Sequence, residues 1–264
     1  MTRIIVLTSR REHTGFKYLQ NLLRQLPVNA VYVDGPLYDA QEVLVRGHVA
    51  YSGKRMGAAR ATHATLKWAS NRWPKENILF LEDDVLPAVE GLLERVEGLE
   101  VTGSNALLCL CDQGELEEGT EPGVYPRSPL GADEDGWWGN QALLFDPEVL
   151  RWLVEQDWFS RELEESEQIQ AYKNCWKDDA SDASDVRLGL LVGSHPTRNT
   201  IGVHVPSLFY HVGEDSLRYP GGSILSTRNV AGLKGYREFS RAFAQGHLDY
   251  LVKEAEDFRG IEIL

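Results

Sequence analysis

The chain has 264 residues, 42% of them hydrophobic, with 7 Trp, 10 Tyr and 8 Phe, enough apolar material for one sizeable core. Its 40 acidic residues outweigh 27 basic ones, and the formal charge of −13 disfavours broad binding along a phosphate backbone. No apolar run reaches the roughly 18 residues of a membrane span, and the apolar part of MTRIIVLTSRR is too short for a secretory signal. A local basic patch around a small phosphorylated ligand remains compatible with that charge. Cys109, Cys111 and Cys175 cannot all pair internally, so reduced thiols and a cytoplasmic protein are expected.

Arg3–Thr8 (RIIVLT) is a β-branched run suited to a buried strand. Thr14 is placed to cap a helix whose apolar positions Phe16, Leu19, Leu22, Leu23 and Leu26 keep helical spacing. A strand within 30–36 (AVYVDGP) ends in Asp34-Gly35-Pro36. Gly57–Asn71 reads as a helix closed by Trp73-Pro74, and Asn77–Leu81 as the next strand. A helix follows Pro87, with that proline near its first turn, and then comes a strand over Ala106–Cys111. Alternating strands and helices imply a parallel sheet with right-handed crossovers, and ligands of such sheets sit beyond the carboxyl ends of the strands. Three of those ends are polar here: Thr8-Ser9-Arg10, Asp34-Gly35 and Glu82-Asp83-Asp84.

The later sequence is less regular. Residues 114–135 are acidic and rich in Gly and Pro, as in a loop or flap. Residues 136–156 predict a strand ending at Asp146, which caps a helix opened by Pro147. A polar stretch over 157–183 has helical pattern at Arg161–Tyr172. Ser184 is placed to cap a helix over Asp185–Val192, Gly202–Val212 reads as a strand interrupted by Pro206, and Val230–Phe258 has helical pattern.

Four groups of residues carry candidate chemistry. Glu82, Asp83 and Asp84 would repel one another unless a cation or hydrogen-bond donors neutralise them. A hard divalent ion taking oxygen ligands would do so; a solvated acidic turn or a helix cap is the plainer alternative. The stretch 52–68 gathers Lys54, Arg55 and Arg60 around Gly53 and Gly57 before a helix start, an arrangement that favours anions or simply leaves a solvated basic turn. His211 follows a strand in a tight polar turn, where a structural role is the alternative. Asp185 opens an apolar helix, as a cap or as a general base for an acceptor hydroxyl.

In this order the pieces resemble an inverting glycosyltransferase of the GT-A fold. The quoted elements are the Thr-Ser-Arg strand end, the Asp strand end, the basic glycine-flanked helix start, LEDDV, a Gly-x-x-Gly strand, an acid before the helix that carries LG, and PSLFYHVG. LEDDV and PSLFYHVG are similar to elements of the GT25-like and N-acetylglucosaminyltransferase IV-like groups, and the resemblance covers roughly residues 1–216. It implies an α/β fold, Rossmann-like, with a mainly parallel central sheet, flanking helices and a smaller acceptor-side region. It further implies a catalytic domain with a nucleotide-binding half at 1–112 and an acceptor and catalytic half at 113–216; residues 217–264, which the resemblance does not place, are read from their pattern as a C-terminal helical extension of one domain over 1–264.

By the same resemblance Asp84 matches the metal-ligating last acid of a DxD motif, Glu82 the first position, and His211 the late histidine completing the metal site. Thr8, Arg10 and Asp34 match contacts to base and ribose, and Asp83 would face the ribose or donor sugar. Arg55 and Arg60 match basic positions near the diphosphate, while Trp137, Trp138 and Gly139 would line the donor–acceptor junction. Asp185 matches the catalytic base. Mn²⁺ or Mg²⁺ is the implied cofactor, a nucleotide-sugar, by family habit a UDP-sugar, the implied donor, and a hydroxyl on a saccharide, protein or modified nucleic acid base the acceptor.

Rival readings are a nucleotidyltransferase, a phage-type transferase acting on hydroxymethylated bases, and a non-catalytic nucleotide-sugar-binding module. A nucleotidyltransferase would usually place a Gly-rich loop after its first strand, where this chain has LTSRREHTG with one glycine. For a DNA substrate the charge of −13 is unfavourable unless Arg187, Arg198, Arg218, Arg228, Lys234 and Arg237 form one basic face.

Overall fold

The apolar runs at 3–8, 30–33 and 77–82 become neighbouring strands of one sheet because they are apolar on both faces and need cover on both. The computed structural model describes residues 1–12, 15–43, 45–89, 91–111, 121–129, 137, 141–159 and 184–211. In chain order the elements are β1 (Thr2–Thr8), α1 (Lys17–Gln25), β2 (Ala30–Val33), α2 (Leu37–Gln41), β3 (His48–Tyr51), α3 (Ala58–Arg72), β4 (Asn77–Glu82) and β5 (Val85–Pro87). There follow α4 (Leu92–Glu97), β6 (Asn105–Cys109), β7 (Gly123–Arg127), β8 (Ala142–Phe145), α5 (Pro147–Glu155), α6 (Ser184–Gly193), β9 (Thr200–Val205) and β10 (Phe209–His211).

Eight strands form one sheet in the order β3-β2-β1-β4-β8-β6-β9-β7. β1 runs parallel to β2 and β4, β2 to β3, and β6 to β9, whereas β8 and β7 are antiparallel to their neighbours. β8 enters between β4 and β6, so the earlier and later parts of the chain share one sheet. The fold is thus a mixed α/β one with a mainly parallel central sheet flanked by helices, the class the sequence implied.

Alternation along the strands divides the interior into two layers. Ile5, Ile78 and Phe80 pack with Leu66 and Ala69 of α3 and Leu150 and Leu153 of α5. Ile4, Val6, Leu79 and Leu81 pack with Leu19 and Leu22 of α1. Each such fully buried Leu, Ile or Phe contributes about 1.5–3 kcal/mol relative to exposure, so the centre of the sheet carries much of the stability of the described residues. Gly202 is needed in β9: a Cβ there would lie 2.6 Å from a Leu108 methyl and 2.8 Å from a Val124 methyl.

Several expectations change. α1 starts after Phe16, with no side-chain cap, and Thr14 lies outside the described residues. Pro87 ends strand β5 instead of opening a helix; α4 begins after Gly91, whose φ of 64° lies in the left-handed region. Residues 123–127, within the expected loop, form β7, because Arg127 and its neighbours pair with β9. Asp146 caps α5 as expected, accepting hydrogen bonds from the Glu148 and Val149 amides behind Pro147. Pro206 splits the expected strand in two, β9 staying in the large sheet and β10 pairing antiparallel with β5. The helices expected at 161–172 and 230–258 lie outside the described residues. No helix among the described residues is long and apolar enough to cross a membrane.

Candidate active site

Register sets the site. Thr8 is paired with Val33 and Val33 with Tyr51, while Leu7 is paired with Glu82. The carboxyl ends of β1, β2, β3 and β4 therefore finish within about one residue of each other, and their polar continuations meet on one edge. Chain from the antiparallel side arrives there too, since the Glu82 amide donates to the Gln141 carbonyl at 2.8 Å, just before β8.

At the end of β4 the acids do not face open solvent. Asp83 is 4% exposed and Asp84 8%. The cation beside them is Arg11, itself 5% exposed, from the segment after β1. Its guanidinium donates to both Asp83 oxygens, at 2.6 and 2.9 Å, and to Asp84 Oδ2 at 3.3 Å. The Thr8 hydroxyl donates to Asp83 Oδ2 at 2.6 Å. Arg11 also lies 4.6 Å over the Tyr18 ring of α1. Burial by itself would lower the Arg11 guanidinium, but the charge and hydrogen bonds of Asp83, joined by Asp84, hold it above its ordinary value. Burial pushes the Asp83 carboxyl up, against the pull of Arg11 and Thr8.

At the end of β2, Asp34 faces inward with neutral partners. Its Oδ1 accepts from the Met56 amide at 2.9 Å and the Ser52 hydroxyl at 3.1 Å. Burial pushes this carboxyl above its ordinary range, opposed by the Met56 amide, Ser52, the Gly57 amide and the nearby charge of Arg55. Asp34 thereby pins the loop that carries Lys54 and Arg55 to the start of α3, where Gly57 holds a φ of 86° that favours glycine. Arg55 donates to the Arg10 carbonyl, and Arg10 makes an exposed ion pair with Glu42 at 3.2 Å.

Arg60, in the first turn of α3, lies 4.5 Å over the Phe159 ring. Arg187 of α6 approaches the same ring at 5.3 Å and donates to the Trp158 carbonyl at 2.8 Å. Asp185 stands in the first turn of this helix, its Oδ1 accepting from the Val186 amide at 3.0 Å. Phe159 thus links the Asp185 helix to the basic start of α3.

The structure gathers Thr8, Asp83 and Asp84 in one cluster and Asp34, Arg10 and Arg55 in a second beside it. Arg60 and Arg187, two residues after Asp185, meet at Phe159. Glu82 is half-buried as the last residue of β4. His211 pairs with Val85, the residue after Asp84, so its backbone lies across the ladder from the end of the acid triplet. Trp138 and Gly139 lie outside the described residues; Trp137 is buried, its amide donating to the Ser128 carbonyl at 3.0 Å. Arg11, Ser52 and Phe159 were not anticipated. Arg10 and Arg11 look alike in SRREH, and only the turn after β1 decides which is buried.

Among the described residues no group of three His, Cys, Asp or Glu side chains gathers to hold a metal. Both Asp83 oxygens are engaged by Arg11 and Thr8. The carboxylates of Glu82 and Asp84 are oxygen ligands of the kind that suit Mn²⁺ or Mg²⁺, with further ligands from water and phosphate.

No family profile matches the chain, and no curated protein sequence matches it. Among solved structures it is similar to the galactosyltransferase LgtC in complex with donor and acceptor sugar analogues, at 18% identity over 72% of this chain and 70% of that one, TM-score 0.40. An active-site mutant of LgtC aligns at 19% identity over the same shares, TM-score 0.42. A UTP-bound UGPase from Acinetobacter baumannii aligns at 9% identity over 77% of this chain and 86% of that one, TM-score 0.41. At these scores the likeness assigns neither substrate nor chemistry to this chain.

Proposed function

We propose that the chain is a nucleotide-sugar-dependent glycosyltransferase of the GT-A type, moving a sugar from a UDP-sugar to a hydroxyl acceptor with inversion. The observation that supports this most is the convergence at one sheet edge of the buried acids after β4, the Asp34-pinned basic loop and the His211 strand. A divalent cation held by Asp84 and His211, with Glu82 beside them, would neutralise the leaving diphosphate. Arg55 and Arg60 bind the diphosphate from the start of α3, aided by the positive end of that helix. Thr8, Arg10 and Asp34 position base and ribose. Asp83 keeps lone pairs for the ribose or donor sugar while it holds Thr8 and Arg11. Trp137, with Trp138 and Gly139 outside the described residues, would line the donor–acceptor junction. Asp185 accepts the proton of the acceptor hydroxyl as its oxygen attacks the anomeric carbon from the face opposite the leaving group. The catalytic unit is one domain, and the buried thiols of Cys109 and Cys111 suit a cytoplasmic setting.

The test is UDP release from UDP-sugars with Mn²⁺. Asp84→Ala should abolish it. Asp185→Asn should keep donor and metal binding while transfer falls by roughly 10²–10⁴-fold. Failure of every nucleotide-sugar to bind, with no metal dependence, would sink the reading; normal transfer by Asp185→Asn would leave Asp185 a helix cap.

A further inference from the structure

Three like charges at a buried strand end require an opposite charge close by, and Arg11 stands there already. Its position is built from three sides. Arg11 and Gly15 exchange two backbone hydrogen bonds, at 3.0 and 2.9 Å, across a short turn. Tyr18 of α1 stacks against the guanidinium. The third side is the carboxylate fork itself, in the bidentate geometry that arginine fits and lysine does not. A cation reaching for Asp83 would have to displace a buried, preorganised guanidinium.

We propose that Arg11 is the resident counter-cation of Asp83 and Asp84: bonded to both Asp83 oxygens and to Asp84 Oδ2, it keeps Asp83 out of any divalent-ion site. The triplet then presents only part of its carboxylate charge to a metal, and the chain binds the free ion weakly. Arg11 is a positioning residue, acting through Asp83 and Asp84. This rests on the reading of Asp84 as a metal ligand, but its test needs no donor, acceptor or turnover.

The measurement is Mn²⁺ binding to the full chain, followed by the paramagnetic resonance of the free ion. Four proteins are compared: wild type, Arg11→Met, Arg11→Lys and the double variant Arg11→Met with Asp83→Asn. Without the guanidinium, Asp83 becomes a ligand, and Arg11→Met should bind Mn²⁺ on the order of tenfold more tightly, the scale on which outer partners tune metal sites. Arg11→Lys, which keeps the charge but loses the fork, should gain less. The double variant should return to the wild-type affinity. If Arg11→Met folds only with Mn²⁺ present, the inference is supported; if it does not fold at all, Arg11→Lys alone and with Asp83→Asn carries the same comparison. Equal affinity in wild type and the Arg11 variants, or a gain that survives Asp83→Asn, overturns the proposal. A gain seen in a chain that turns over no nucleotide-sugar would leave the Arg11 role standing and remove only the transferase reading.

Discussion

Asp34 and Asp83 end two strands of one sheet, both nearly sealed from solvent, yet they are satisfied in opposite ways. Asp34 takes a backbone amide and a hydroxyl, so its partners are neutral and belong to the loop it pins. Asp83 takes a guanidinium on both oxygens and a hydroxyl besides. A carboxylate held by amides organises backbone and can lose its charge with limited damage. One held by a buried arginine cannot lose its partner without stranding a charge. The strand end of β2 is thus a frame, and that of β4 is an electrostatic centre.

The largest break in that contrast is Arg11→Met. It leaves Asp83 buried beside Asp84 with no counter-charge, and should destabilise the chain by about 3–5 kcal/mol in urea unfolding. Asp34→Ala removes the acceptor of the Met56 amide and Ser52 hydroxyl and should cost less, about 1–3 kcal/mol. It should also loosen residues 52–57, seen as faster amide exchange at Met56. Equal costs for the two substitutions would mean that Arg11 and Asp83 are a surface-like pair, and the contrast would fail.

How much of this could be read beforehand follows from the same two residues. Continuous apolar runs announced β1, β2 and β4, and Asp-Pro announced the start of α5, because local chemistry dictates both. The acid triplet raised the question of an opposing cation, and the sequence alone favoured a metal as the answer. Arg11 was hidden because its burial depends on a turn through Gly15 and on the Tyr18 ring, both tertiary facts. β7 was hidden for a related reason: Gly123–Arg127 has little strand pattern of its own and is held by pairing with β9. Asp185 stood out as a helix start, but Phe159, which lies between Arg187 of the same helix and Arg60, carries no local signal of those contacts.

The finest test of the contrast is the pH dependence of Asp34. Its carboxyl lies above the ordinary 3.8 because burial outweighs the hydrogen bonds from Met56, Ser52 and Gly57. Between 3.8 and the raised value the folded chain therefore keeps a proton that the unfolded chain has lost. Stability from this group is fully present below 3.8 and falls as pH rises through the folded value. Asp34→Asn removes the titration while keeping the side chain's size and its acceptor oxygen. Urea midpoints of wild type and variant, compared from acid to neutral pH, should therefore move in a set direction: any advantage of the wild type narrows as pH rises. A wild-type advantage that widens instead would mean that Asp34 is held as a charge, by Arg55 or another cation, and that both strand ends are electrostatic centres.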